Sequence, residues 1–298
     1  MAEVRFSNIQ WTDHTWNPWS GCIKVSPGCK YCYMYRVKSR FKPKEPGRPW
    51  HNPKEVRRAA TATFSAPWKI KQPRLIFTCS MSDVMIEQAD AWRADFWAII
   101  KGCPDLRFQI LTKRPERLAE CLPEDWGQHG YHNVWLGVSV ETQRYAEERV
   151  PLLLDIPAVV HFVSAEPLLG AVFLRQWLPR YRAMATGGEA TGAVDWVIIG
   201  GESGNEEGEW KYRKCNPKWV ADLVEEARYW GSAPFVKQAG SYLAKEWGLD
   251  YHGGGEDLGG DAVPIQWRRV FNVREWPAAD GEWLLKRAAF LPQPEEVD

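Results

Sequence analysis

The sequence lacks any long apolar run. Its first thirty residues, MAEVRFSNIQWTDHTWNPWSGCIKVSPGCK, contain no continuous apolar core of signal-peptide type, and no later stretch stays apolar long enough to span a bilayer. These absences predict a cytoplasmic chain with no membrane partner. Charge of one sign is not in excess either: Lys plus Arg and Asp plus Glu number 38 each, which excludes a global field drawing the chain to nucleic acid or an anionic surface. An even disulfide framework is also missing. The seven cysteines comprise a crowded trio, Cys22, Cys29 and Cys32, and the scattered Cys79, Cys103, Cys121 and Cys215. In a cytoplasmic protein that pattern favours metal ligation or catalysis over disulfides, with burial as free thiols the expectation for the scattered four and Cys79 set apart by its place at a strand end.

What is present is enough apolar residue, 45% of 298, to bury one barrel-type domain or two smaller ones. The eighteen Trp, many beside Pro or charged residues, read as loop clamps. Six short apolar runs recur: RLIFTC (74–79), FQILT (108–112), VWLGVSV (134–140), VVHFVSA (159–165), WVIIGG (196–201) and PFVKQ (234–238). Runs of this kind suit strands covered on both faces. Helical spacing fills the intervals, with Trp92, Phe96, Trp97, Ile99 and Ile100 after the first run and Leu118 with Leu122 after the second. The clearest helix has Asn216 as cap, Pro217 in its first turn, an apolar stripe of Trp219, Val220, Leu223, Val224 and Ala227, and Gly231 as its stop. Strand then helix, six times over, means α/β with parallel strands, and a further strand near the N-terminus gives six or seven units. Periodicity alone leaves a barrel and a doubly wound open sheet both open. The Pro-, Lys- and Arg-rich segment 43–73 reads as a rim excursion, and the Gly-rich 252–261 as a loop.

In parallel α/β architectures ligands bind at the carboxyl ends of the strands. Those ends here carry Ser80, Ser82 and Asp83; Thr112, Lys113 and Arg114; Ser139 and Glu141; Ser164 and Glu166; Gly200, Gly201, Glu202 and Ser203; and Lys237 with Gln238. Singly each is ordinary where a chain leaves the core; together they predict a site. Gly200 and Gly201 would let the backbone approach a ligand closely.

The cysteine spacing is Cys22-x6-Cys29-x2-Cys32, within WNPWSGCIKVSPGCKYCYM. Thiolates are soft ligands suited to zinc or iron-sulfur clusters. Structural zinc needs a fourth ligand, for which His14 is the candidate; a four-iron cluster on three cysteines leaves one iron open. Tyr31, between the last two cysteines, and Tyr33 could cover a planar group bound there or simply pack the loop.

The three-cysteine loop, with an aromatic before its last cysteine and βα units behind it, resembles the radical S-adenosylmethionine (SAM) superfamily, whose usual spacing is Cys-x3-Cys-x2-Cys. Here the first interval is three residues longer, and Cys79-Ser-Met-Ser-Asp83 stands where that superfamily often has Gly-Gly-Glu. TWNPWSGCIKVSPGCKYCYM, LTKRPERL, VWLGVSVE, FVSAEPLLG, WVIIGGESG and FVKQAG are similar, in order, to a phage- and prophage-associated family of unknown function named for its three-cysteine motif. The resemblance covers about residues 6–241.

It implies a partial (β/α)6 TIM-type barrel over residues 1–245, with the cluster loop at 22–32, and a Gly-rich extension, 246–298, packed on it. It also implies a [4Fe-4S] cluster on Cys22, Cys29 and Cys32, and a SAM enzyme making a 5′-deoxyadenosyl radical. By position, Tyr31, Ser80, Ser82, Asp83, Glu141, Glu166, Gly200, Gly201 and Glu202 are candidate cofactor or substrate contacts. Lys113, Arg114 and Lys237 are candidates for the cofactor carboxylate or a substrate phosphate. Implied partners are a nucleic acid or nucleotide substrate and a protein from the same phage locus. Lys38, Arg40, Lys42, Lys44, Arg48, Lys54, Arg57 and Arg58, with Phe41 and Trp50, would track phosphates or form a solvated loop. Two other classes stay open: a zinc-stabilised Cys3His binding protein without catalysis, and an iron-sulfur electron carrier without SAM.

Overall fold

The computed structural model describes residues 6–40, 52–187, 192–249, 258 and 261–291. Residues 42, 44, 48, 41 and 50 of the basic segment, and most of 252–261, lie outside these.

Seven parallel strands form one sheet: β1 (His14–Trp16), β2 (Leu75–Thr78), β3 (Arg107–Thr112), β4 (Val134–Ser139), β5 (Val160–Ala165), β6 (Trp196–Gly200) and β7 (Ala233–Gln238). Their spatial order is their chain order, and the sheet curls into a half-barrel. A doubly wound sheet would reverse its strand order partway, so sequential pairing removes that alternative. The strand count is seven rather than six, because the three-residue β1 pairs with β2 through His14 and Ile76. Among the described residues β1 and β7 do not pair with each other, and the sheet stays open.

Each strand is followed by a helix: α1 (Tyr33–Ser39), α2 (Arg93–Lys101), α3 (Leu118–Cys121), α4 (Gln143–Leu154), α5 (Pro179–Thr186), α6 (Pro217–Trp230) and α7 (Gly240–Glu246). α6 starts where the Asn216 side chain accepts the Lys218 N–H at 2.9 Å, and it stops at Gly231, whose φ of 90° only glycine adopts freely. Val220, Leu223, Val224 and Ala227 are its buried stripe.

Alternation along the strands divides the core in two. Ile76, Leu136, Val163, Val197 and Val236 face the helices, whereas Leu75, Phe77, Trp135, Phe162, Trp196 and Phe235 face the concave side. Tryptophan therefore fills the inner face as well as clamping loops. The clamping is real for Trp16, Trp97 and Trp126, whose indoles donate to the carbonyls of Phe64, Cys121 and Pro157.

The C-terminal segment adds α8 (Ile265–Phe271) and α9 (Gly281–Ala288). It closes the amino-terminal end of the concave side. Trp283 buries against the inner aromatic cluster, Arg107 pairs with Asp280 at 2.6 Å, and Arg287 pairs with Asp13 at 2.6 Å. With that end sealed, open space remains at the strand carboxyl ends. No helix among the described residues is long and apolar enough to cross a membrane.

Candidate functional site

A cavity of about 390 Å³ opens at the carboxyl ends of the strands. Its walls bring together Ser80, Ser82, Asp83, Lys113, Arg114, Glu166, Gly201, Glu202 and Lys237 from the strand ends. Cys22, Cys29, Cys32, Tyr31 and Tyr33 come from the loop after β1. Glu141 and Gly200 are not on this wall. Gly201 is on it, but a Cβ there would stand 2.3 Å from the Ala239 carbonyl; that glycine is required by the neighbouring turn whether or not a ligand approaches.

The cysteine loop is built on one tight turn. Ser26 precedes a 3-10 turn, Pro27–Cys29, in which the Cys29 N–H reaches the Ser26 carbonyl at 3.0 Å, and Cys32 caps α1. Glu141, wholly buried, supports this turn from below. It accepts the Ser26 hydroxyl at 2.6 Å and pairs with Lys113 at 2.9 Å and Arg149 at 3.0 Å. Burial works against its charge, yet Lys113 and Arg149 outweigh burial and hold the carboxyl below its ordinary range. A Cβ on Gly28 would come 2.4 Å from the Glu141 Oε1, so only glycine lets the loop lie this close. The Ser26 hydroxyl also lies 3.6 Å from the Cys29 sulfur.

The three thiols share the wall, but among the described residues no three His, Cys, Asp or Glu side chains are arranged to hold a metal ion. Burial, reinforced by Asp83, pushes the Cys22 thiol up to about 12, although Arg114 opposes the shift from 3.9 Å. Burial raises Cys32 as well. His14 is not on this wall; it is buried at the start of β1 with its ring 5.0 Å from that of Phe6.

Most charged residues of the wall are matched in place. Asp83 accepts from the Thr112 hydroxyl at 2.7 Å, the Lys113 N–H at 2.9 Å and Arg114 at 3.0 Å. Glu166 pairs with Lys237 at 2.8 Å and accepts from Gln238. Glu202 accepts the Arg213 Nε at 2.8 Å, and the Arg213 guanidinium lies 5.3 Å from the Tyr31 ring, tying the β6 end to the cysteine loop. Tyr33 and Tyr35 donate to the carbonyls of Ser80 and Cys22.

Cys79, set apart in the sequence by its place at a strand end, is buried, lines the cavity and holds a left-handed backbone, φ 59°, uncommon for a side-chain-bearing residue. Burial and then Asp83 raise its thiol well above the ordinary range. Trp11 and Arg36 are also on the wall. Arg36 follows Cys32 by four residues, the spacing that puts two side chains on one helix face, and this was the available signal. Trp11 precedes β1 in an irregular segment and offered none.

The family described as "Protein of unknown function (DUF5131)" matches residues 6–283, and the chain belongs to it. No curated protein matches the chain.

Proposed function

We propose that the protein is a radical SAM enzyme whose [4Fe-4S] cluster is held by Cys22, Cys29 and Cys32. The observation that carries this reading is the meeting of the three loop cysteines with the polar ends of a curled parallel sheet in one cavity. The donor set suits the group: three soft sulfurs on one short loop, with Cys79 a fourth thiol on the same wall but on the β2 end, and Arg114 beside Cys22 to offset thiolate charge. When bound, the cluster and SAM supply one-electron cleavage of a sulfonium, giving the 5′-deoxyadenosyl radical.

The chain's own residues supply position and exclusion of water. Glu141, through Ser26 and Gly28, sets the height of the cysteine loop. Tyr31 forms a flat wall beside the thiols, backed by Arg213. Ser80 and Ser82 offer hydroxyls toward cofactor amino or ribose groups, although Ser82 also donates to the Gly21 carbonyl at 2.5 Å. Glu166 and Glu202 would present carboxylate lone pairs beyond those used by Lys237 and Arg213. The Cys3His zinc alternative is weakened by the place of His14 against Phe6, off the cavity wall.

The test is product analysis. Protein reconstituted without oxygen and reduced with dithionite is expected to convert SAM to 5′-deoxyadenosine, and Cys29→Ala to form none. Equal traces from both proteins would remove the reading.

A further inference from the structure

Two cations of the cavity wall, Lys24 and Arg36, have no carboxylate partner among the described residues; Lys24 donates to the Lys30 carbonyl at 2.8 Å, which leaves Arg36 as the one with no acceptor among them. Lys113, Arg114 and Lys237 on the same wall are each paired with a carboxylate. The Arg36 side chain has no such partner among the described residues, and its Nε is buried without an acceptor. A second donor is in the same condition. The indole of Trp11 is 2% exposed, lines the cavity, and leaves its Nε1 unpartnered, while Gln109 holds the Trp11 carbonyl at 3.0 Å and fixes the residue in place. Buried donors without acceptors are rare in folded proteins, because each forfeits its hydrogen bonds to water. Two on one cavity wall describe a ligand by its complement.

Arg36 demands an anionic oxygen; a guanidinium matches phosphate by parallel hydrogen bonds. Trp11, a single uncharged donor, takes one acceptor atom and is satisfied by a neutral one. The same wall offers aromatic rings in Tyr31 and Phe77, the latter 4.5 Å from the Trp11 ring. A planar heterocycle bearing carbonyl or ring-nitrogen acceptors and a phosphate ester satisfies all three demands. We propose that the cavity takes a nucleotide unit as substrate, with its phosphate on Arg36 and an acceptor of its base on Trp11. This rests on the reading of the cavity as the reaction chamber and gives that reading a substrate class.

The experiment titrates the full chain, with iron content measured separately, against nucleoside 5′-monophosphates, the matching nucleosides, inorganic phosphate and short single-stranded oligonucleotides. Calorimetry and tryptophan fluorescence read the binding. At least one monophosphate is expected to bind about tenfold or more tighter than its nucleoside and than inorganic phosphate, the margin a charge-assisted contact supplies. That gap should close in Arg36→Gln and persist in part in Arg36→Lys, which keeps the charge and controls for folding. Trp11→Phe should weaken nucleoside and nucleotide alike. Oligonucleotides that outbind the monomers with the same Arg36 dependence would place the nucleotide within a nucleic acid; weaker oligonucleotide binding would make it a free nucleotide. A gap that survives in Arg36→Gln, phosphate alone binding as well as any nucleotide, or no binding by any probe would overturn the proposal. A chain that binds no iron yet keeps the Arg36-dependent gap would retire the radical chemistry and leave the nucleotide site standing.

Discussion

Glu141 is buried with two cations and a hydroxyl, and its position at a strand end gave no hint that it would face the cysteine loop from beneath instead of lining the cavity. Removing it leaves Lys113 and Arg149 uncompensated. Glu141→Ala is expected to cost about 3–5 kcal/mol, read as a lower urea midpoint, and to lower iron retention in parallel. Strand ends were legible as polar; which polar group faces the cavity and which faces a neighbour is decided by partners from other elements, for Glu141 as near as Arg149 and as far as Ser26, 115 residues away in the chain. Asp195 carries a second residue-scale prediction. Burial lifts its carboxyl from 3.8 to about 6, against the opposing hydrogen bond from the His161 N–H. Since the folded pKa is the higher one, the folded state holds the extra proton between about pH 4 and pH 6. Stability therefore falls as pH rises through that window, and the cost, roughly 3 kcal/mol, stands in full at neutral pH. Asp195→Asn keeps the acceptor and removes the charge. It should raise the melting temperature at pH 7 and leave it unchanged near pH 3; an equal effect at both would contradict the assignment.

At the scale of elements, the six apolar runs predict strands that the structure places within a residue or two, from Leu75–Thr78 to Ala233–Gln238. They were readable because strands covered on both faces need continuous apolar residues. β1 was visible only as an expectation near the N-terminus: HTW is three residues long and takes its place from pairing with β2. The inner role of Trp11, Trp135 and Trp196 was not readable, since only the curl of the sheet decides that these large rings share one space. The cysteine loop is the element on which function turns, and Gly28 sets how closely it can lie on Glu141. In Gly28→Ala the new methyl must lift the turn or displace the carboxylate. Iron bound after reconstitution should fall severalfold while the urea midpoint moves by less than in Glu141→Ala. Unchanged iron loading would show that the loop's height is not critical.

For the whole molecule, sequential strand order, a concave face packed with aromatic residues and a C-terminal segment across one end together leave the strand carboxyl ends as the place for chemistry. Parallel α/β architecture was legible from repetition, and a strand near the N-terminus was expected without its bounds; the choice between barrel and open sheet was not legible from periodicity, because curl and pairing are properties of the assembled sheet. Whether the cysteine trio binds a cluster with an iron open to SAM is read by metal analysis and EPR of the anaerobically reconstituted, reduced protein, with and without SAM. About four irons per chain are expected, with a cluster signal that shifts on adding SAM and is absent in Cys29→Ala. One zinc per chain, with no iron signal and no response to SAM, would contradict a cluster on the trio.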